Sequence, residues 1–206
     1  MLTLVLFACS TADSTDSAAV GQELTPFDDK GIQAPADDAD PTPERYEMLS
    51  GTDTDYSWAA LRGWVKVDAP TVWDVLQDPD VGVNRRDVTQ WTVKEIEEEG
   101  VDSAYVVSEQ VDDPITVTFD LTWFQDQADD PADGSIAIWQ KTDGTEFIST
   151  LAGSVVATGH DDVVDFLVVF HLATVDSGPE KCEEFVIDFY NSVVAVAHGG
   201  SLPTYE

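Results

Sequence analysis

DVVDFLVVFHLATV (162–175), DSGP (176–179) and EKCEEFVIDFYNSVVAVA (180–197) read as a long apolar strand, a tight turn and an amphipathic helix. On the helix, Cys182, Phe185, Phe189, Val193 and Val196 recur at helical spacing and form one apolar stripe. A single stripe of that kind covers one face of a sheet. Preceded by many strands, it predicts a sheet that curls around one helix and leaves a cavity between them. Ligand binding is therefore the leading expectation.

The strands are legible upstream. Residues 115–124 alternate cleanly, with Ile115, Val117, Phe119, Leu121 and Trp123 set against Thr116, Thr118, Asp120 and Thr122. Period two with one polar face marks a half-buried antiparallel strand. Residues 89–98 and 103–111 carry Trp91 with Val93, and Tyr105 with Val107 and Val111, on single faces. Residues 135–141 and 146–157 flank Thr142-Asp143-Gly144-Thr145, where Asp-Gly signals a hairpin. The last strand makes six in succession, joined by short polar connections. A parallel sheet would need crossover helices, so the pattern predicts an antiparallel meander. Ahead of it, residues 59–67 read as a strand and 71–77 as a short helix, with Pro70 in its first turn and Asp68 as its cap. Residues 81–88 read as a loop or second short helix, with Arg85 and Arg86 exposed.

The chain has 206 residues and a formal net charge of −32, from 41 acids against 9 bases. Such a charge opposes nucleic-acid binding, which needs basic patches, and an anionic membrane surface would repel it. Two readings of the acidity stay open: a solvated, aggregation-resistant surface, or adaptation to high salt, which five lysines support. The two cysteines, Cys9 and Cys182, give no disulfide framework. Cys182 sits with Phe185 and Phe189 and reads as a small core residue.

Met1 to Ala8 form an apolar run, MLTLVLFA, and Leu6-Phe7-Ala8-Cys9 resembles a bacterial lipobox. That resemblance implies signal removal, lipidation of Cys9 and a lipid-anchored protein of the cell envelope. Residues 10–55 are rich in Ser, Thr, Ala, Asp and Pro and poor in large apolar side chains. Such a segment buries too little to offset its ordering entropy, so it reads as a tether with one helical turn near 44–49. The chain thus divides into a signal ending at the lipobox cysteine (1–9), an acidic flexible tether (10–56), a folded domain (57–200) and a tail (201–206).

The segment VKVDAPTVWDVLQDP (65–79), the order of elements and the closing strand and helix together resemble the START-like superfamily. Lipid-transfer START domains, pollen allergens and polyketide cyclases share its helix-grip fold. The resemblance covers about 58–199. Ala69-Pro70 and Val72-Trp73 stand about two residues closer than the family pattern, which predicts a truncated first turn. The resemblance implies an α+β fold, a curved antiparallel sheet wrapped around the long C-terminal helix, with a deep apolar cavity between them.

Trp91, Tyr105, Phe119, Leu121 and Trp123 from the sheet, and Phe189 and Val193 from the helix, are the expected cavity wall. Aromatic walls suit a lipid, a sterol or an aromatic molecule. No cofactor is expected. His160, His171 and His198 are scattered and give no zinc pattern. Strand parity sends His171 outward with Asp165, Leu167 and Val169. Asp126, Asp129, Asp130 and Asp133 crowd one loop but miss the spacing of a calcium loop, so no metal site is expected. Three functions follow in order: binding of a hydrophobic small molecule; a cyclase or aromatase-like enzyme, for which Tyr105, Glu109 and Arg62 are the polar candidates; and an interacting lipoprotein with a filled core, whose outer-face Leu167 and Val169 would meet a partner. Oligomeric state stays open.

Overall fold

A computed structural model describes residues 24–36, 44–112, 114–175 and 178–205. Eight strands form one antiparallel sheet: β1 (Tyr46–Thr52), β2 (Ser57–Val65), β3 (Val88–Glu95), β4 (Ser103–Asp112), β5 (Thr116–Gln127), β6 (Gly134–Gly144), β7 (Ile148–His160) and β8 (Val163–Thr174). Helix α1 (Ala69–Leu76) follows β2, and helix α2 (Pro179–Ala197) closes the chain. The spatial order is β1-β2-β8-β7-β6-β5-β4-β3. The six-strand meander therefore docks its last strand against β2, and β1 adds an edge. This is the α+β helix-grip arrangement, with α2 lying in the concave face. No helix among the described residues is long and apolar enough to cross a membrane.

Local chemistry accounts for the helix boundaries. Asp68 accepts a hydrogen bond from the Thr71 amide at 3.0 Å and caps α1, whose first turn holds Pro70. Asp78 caps a 3₁₀ turn, Pro79–Gly82, that continues into the loop 83–87. Pro179 opens α2, and Cys182, Phe185, Phe189 and Val193 are buried along its inner stripe. Cys182 is a free thiol with no exposed surface, and burial pushes its pKa up to about 12.

The expected tether is corrected in two places. Residues 46–52 form no helical turn. They pair with β2 in full register from Tyr46↔Gly63 to Thr52↔Ser57, and Met48 packs on the core. The open backbone edge of β2 outweighs a weak local helical preference. Residues 24–36 cross the convex face over β2, β8 and β7. Ile32 is 2% exposed and packs with Ala60 and Val169, beside Phe27, Trp58 and Leu167. The Phe27 amide donates to Ser154 Oγ at 2.9 Å, and the Trp64 indole donates to the Pro35 carbonyl at 3.1 Å. Val169 is thus covered by the chain itself, and Leu167 is left only partly exposed. Cys9 and the signal-like run, with 10–23 and 37–43, lie outside the described residues.

A smaller correction concerns the β6–β7 connection. The ladder between these strands ends at Gln140↔Ala152, while β6 stays paired to β5 as far as Gly144. A register shift between Asp120 and Leu121 bends the strands there. The two strands therefore part well before their loop.

Candidate functional site

One row of paired residues explains where the concave face is full and where it is open. Tyr105 pairs with Trp123, Trp123 with Trp139, Trp139 with Gly153, and Gly153 with Phe170. Paired residues in a ladder point to the same face. Trp123 and Trp139 stack at 4.4 Å between ring centroids, with Tyr105 beyond Trp123 at 5.9 Å. Phe189 meets both tryptophans edge-on. Gly153 makes this possible, because a Cβ there would stand 2.2 Å from the Trp139 ring. Toward the start of α2 the inward side chains shrink to Val107 and Leu121 on one side and Leu151 and Leu172 on the other. Space opens where the aromatic row stops and β6 and β7 part.

That space is a cavity of about 560 Å³. Phe119, Leu121, Leu151, Phe170, Leu172 and Phe185 give it apolar walls. Its mouth, at the handover from β8 to α2, holds Arg86, Asp87, Asp112, Thr174 and Lys181. The volume lies in the range of small-molecule sites.

The expected wall residues divide accordingly. Phe119 and Leu121 line the cavity. Tyr105, Trp123, Phe189 and Val193 are buried within the filled part of the core. Trp91 stands at the rim of the sheet, its indole donating to Asp80 at 2.7 Å under the Arg85 guanidinium. Arg85 and Arg86 are therefore engaged rather than free. Arg86 forms two hydrogen bonds with the Asp188 carboxylate, at 2.9 and 3.1 Å. Phe170, Phe185, Leu151 and Leu172 are the wall residues that sequence reasoning did not name for this role. Strand parity with Phe119 and Leu121 carried that signal for β8, but side-chain volume decided it.

Of the three polar candidates, only Glu109 faces the cavity. Arg62 lies on the convex face, where its Nε donates to Asp165 Oδ1 at 2.9 Å and its Nη1 to the Ile32 carbonyl at 3.3 Å. The Tyr105 hydroxyl accepts from Gln125 Nε2 at 3.2 Å inside the filled core, and burial raises its pKa. Glu109 sits between Trp91 and Phe119 in register and is 5% exposed. Among the described residues its carboxyl has no hydrogen-bond or ion-pair partner, and desolvation pushes its pKa up to about 8. Glu109 also borders an open groove with Gln90, Ser108, Asp120 and Asp143, and its burial favours the protonated form.

His171 points outward as parity requires, yet it is buried. Tyr56 stacks on its ring at 4.4 Å and Phe27 meets it edge-on at 4.8 Å. Burial, followed by the charge of Lys30, lowers its pKa. Among the described residues no three His, Cys, Asp or Glu side chains are grouped to hold a metal.

No protein-family model matches the chain, and no curated protein matches its sequence. Solved structures do resemble it. A START superfamily protein from Mycobacterium smegmatis is 8% identical, with 69% of this chain and 97% of that one covered and a TM-score of 0.49. The lipid transfer and protein localization domain of human StarD13 is 11% identical over 72% of this chain and 88% of that one, with a TM-score of 0.47. The Zhui aromatase/cyclase from a Streptomyces species is 17% identical over 76% and 89%, with a TM-score of 0.39. Likeness at this level leaves ligand and chemistry to be argued from the cavity itself.

Proposed function

We propose that the chain binds a hydrophobic small molecule in the cavity between the sheet and α2. The observation that carries this reading is a 560 Å³ space walled by six large apolar side chains, beside the packed aromatic core. Burial of ligand surface there supplies about 25 cal/mol per Å² before ordering costs. Native mass spectrometry of the full chain from a heterologous host tests it, with a denatured control for covalent adducts. A co-purifying non-covalent mass, or uptake from a panel of fatty acids, sterols, lipophilic amines and aromatic polyketides, is expected. A clean mass with no uptake from the panel refutes it.

Glu109 supports a second reading, a cyclase or aromatase-like enzyme in which the acid exchanges a proton with a folded substrate. Its test is turnover of a linear poly-β-ketone, lost in Glu109→Gln. From Leu6-Phe7-Ala8-Cys9 we also propose lipidation at Cys9 and a cell-envelope location. Labelled palmitate incorporated by the chain and not by Cys9→Ser in a bacterial host tests that placement.

A further inference from the structure

Among the described residues, every charged side chain lining the cavity except one is already engaged. Arg86 holds Asp188. Lys181 lies 3.0 Å from Glu184 and 3.8 Å from Asp87, and Asn84 also donates to Asp87. Asp112 accepts hydrogen bonds from Thr89, Gln110 and Thr116. Glu109 alone has no partner among the described residues, although its burial makes an unpaired carboxyl costly. A ligand that complements this cavity must therefore bring a group for it.

Three observations choose that group. Both cations at the mouth are committed to carboxylates, which leaves an anionic headgroup such as a fatty-acid carboxylate without a cation. Phe119, Phe170 and Phe185 line the space, Phe170 and Phe185 stacked at 4.1 Å, and an aromatic lining tolerates an organic cation better than an anion. The net charge of −32 raises the local concentration of cations and repels anions. We propose that the ligand is a lipophilic amine, its ammonium group paired with the Glu109 carboxylate and its apolar body against Phe119, Leu121, Phe170 and Phe185. The inference rests on the cavity reading above. The pair forms in either of two ways. A protonated amine enters and Glu109 releases its proton to solvent, or a neutral amine enters and takes that proton. Only O–H and N–H bonds change.

The test is calorimetric titration of the full chain with 4-phenylbutylamine, 4-phenylbutanol and 4-phenylbutyrate, which share one apolar body. At pH 7 the amine is expected to bind at least about tenfold more tightly than the alcohol, and the carboxylate most weakly. Comparison of two buffers with different ionisation enthalpies should show close to one proton released with the amine and none with the alcohol. The amine's advantage should grow up to about tenfold per pH unit between 6 and 8, while the alcohol stays level. Glu109→Gln should remove the advantage, so that amine and alcohol bind within about threefold of each other. Equal binding of amine and alcohol, level in pH and unchanged in the glutamine variant, refutes the amine and leaves the cavity reading standing. No binding of any of the three refutes the amine, and with no uptake from the panel above it refutes both. The pH series on the native chain keeps the test decisive if the variant does not fold.

Discussion

Replacing Glu109 with glutamine should stabilise the fold by an amount that grows with pH. Unfolded, the carboxyl titrates near its ordinary 4.5; folded, it titrates at about 8. Below 4.5 both states hold the proton and the group adds no pH dependence. Between the two values the unfolded chain releases its proton while the fold retains it. Stability therefore falls as pH rises, by about 1.4 kcal/mol per unit. By pH 8 the accumulated cost is roughly 5 kcal/mol, set against a typical domain stability of about 5–15 kcal/mol. That figure is an upper bound, because water admitted at the mouth hydrates the carboxylate. Glutamine keeps the shape and cannot ionise. Urea unfolding of both proteins at pH 5, 6, 7 and 8 should show a gap that is small at pH 5 and widens to several kcal/mol at pH 8. The difference between the two proteins cancels the titration of the remaining acids. A gap that stays within about 0.5 kcal/mol across that range refutes the view that Glu109 is poorly hydrated and unpaired.

Other outcomes follow from the same geometry. Gly153→Ala should cost about 1–3 kcal/mol in denaturant unfolding, because the new methyl meets the Trp139 ring and the Val169 carbonyl. Ile32→Ala should cost about 2–4 kcal/mol and raise hydrogen exchange across residues 24–36, while the concave core stays protected. The His171 ring should titrate below 6.5 by NMR. Its lowered pKa makes its contribution to stability full above that value and lost as pH falls, so His171→Gln should flatten the acid limb of the stability curve. Leu151→Trp should fill part of the cavity and abolish ligand uptake without lowering stability by more than about 3 kcal/mol.

Much of this architecture can be read from residue patterns. The alternation at 115–124, the stripe on α2 and the Asp68-Ala69-Pro70 stop each bring their own local cause, so β5, α2 and α1 lie where the periodicity puts them. Two features escape that reading for different reasons. The strap at 24–36 has the composition of a tether because it contributes few large apolar side chains, chiefly Phe27 and Ile32. The rest of its binding surface belongs to Trp58, Ala60, Leu167 and Val169, some 30 to 140 residues away. The position of the cavity escapes because strand parity assigns a face and says nothing of the space above it. Whether Trp123 or Phe119 borders empty space depends on how the Trp139 ring lies over Gly153, and periodicity carries no information about volume.

If Cys9 is lipidated as proposed, the seating of 24–36 on the sheet shortens the leash. A tether running from Cys9 to the first strand beyond residue 56 would span about 170 Å when fully extended. Seating at Phe27 leaves 18 peptide steps from Cys9, and these reach at most about 65 Å. If Cys9 carries the proposed lipid, the domain samples a shell only a few times its own radius above the bilayer. It would collect ligand delivered to or leaving that membrane, rather than patrol the width of a cell envelope.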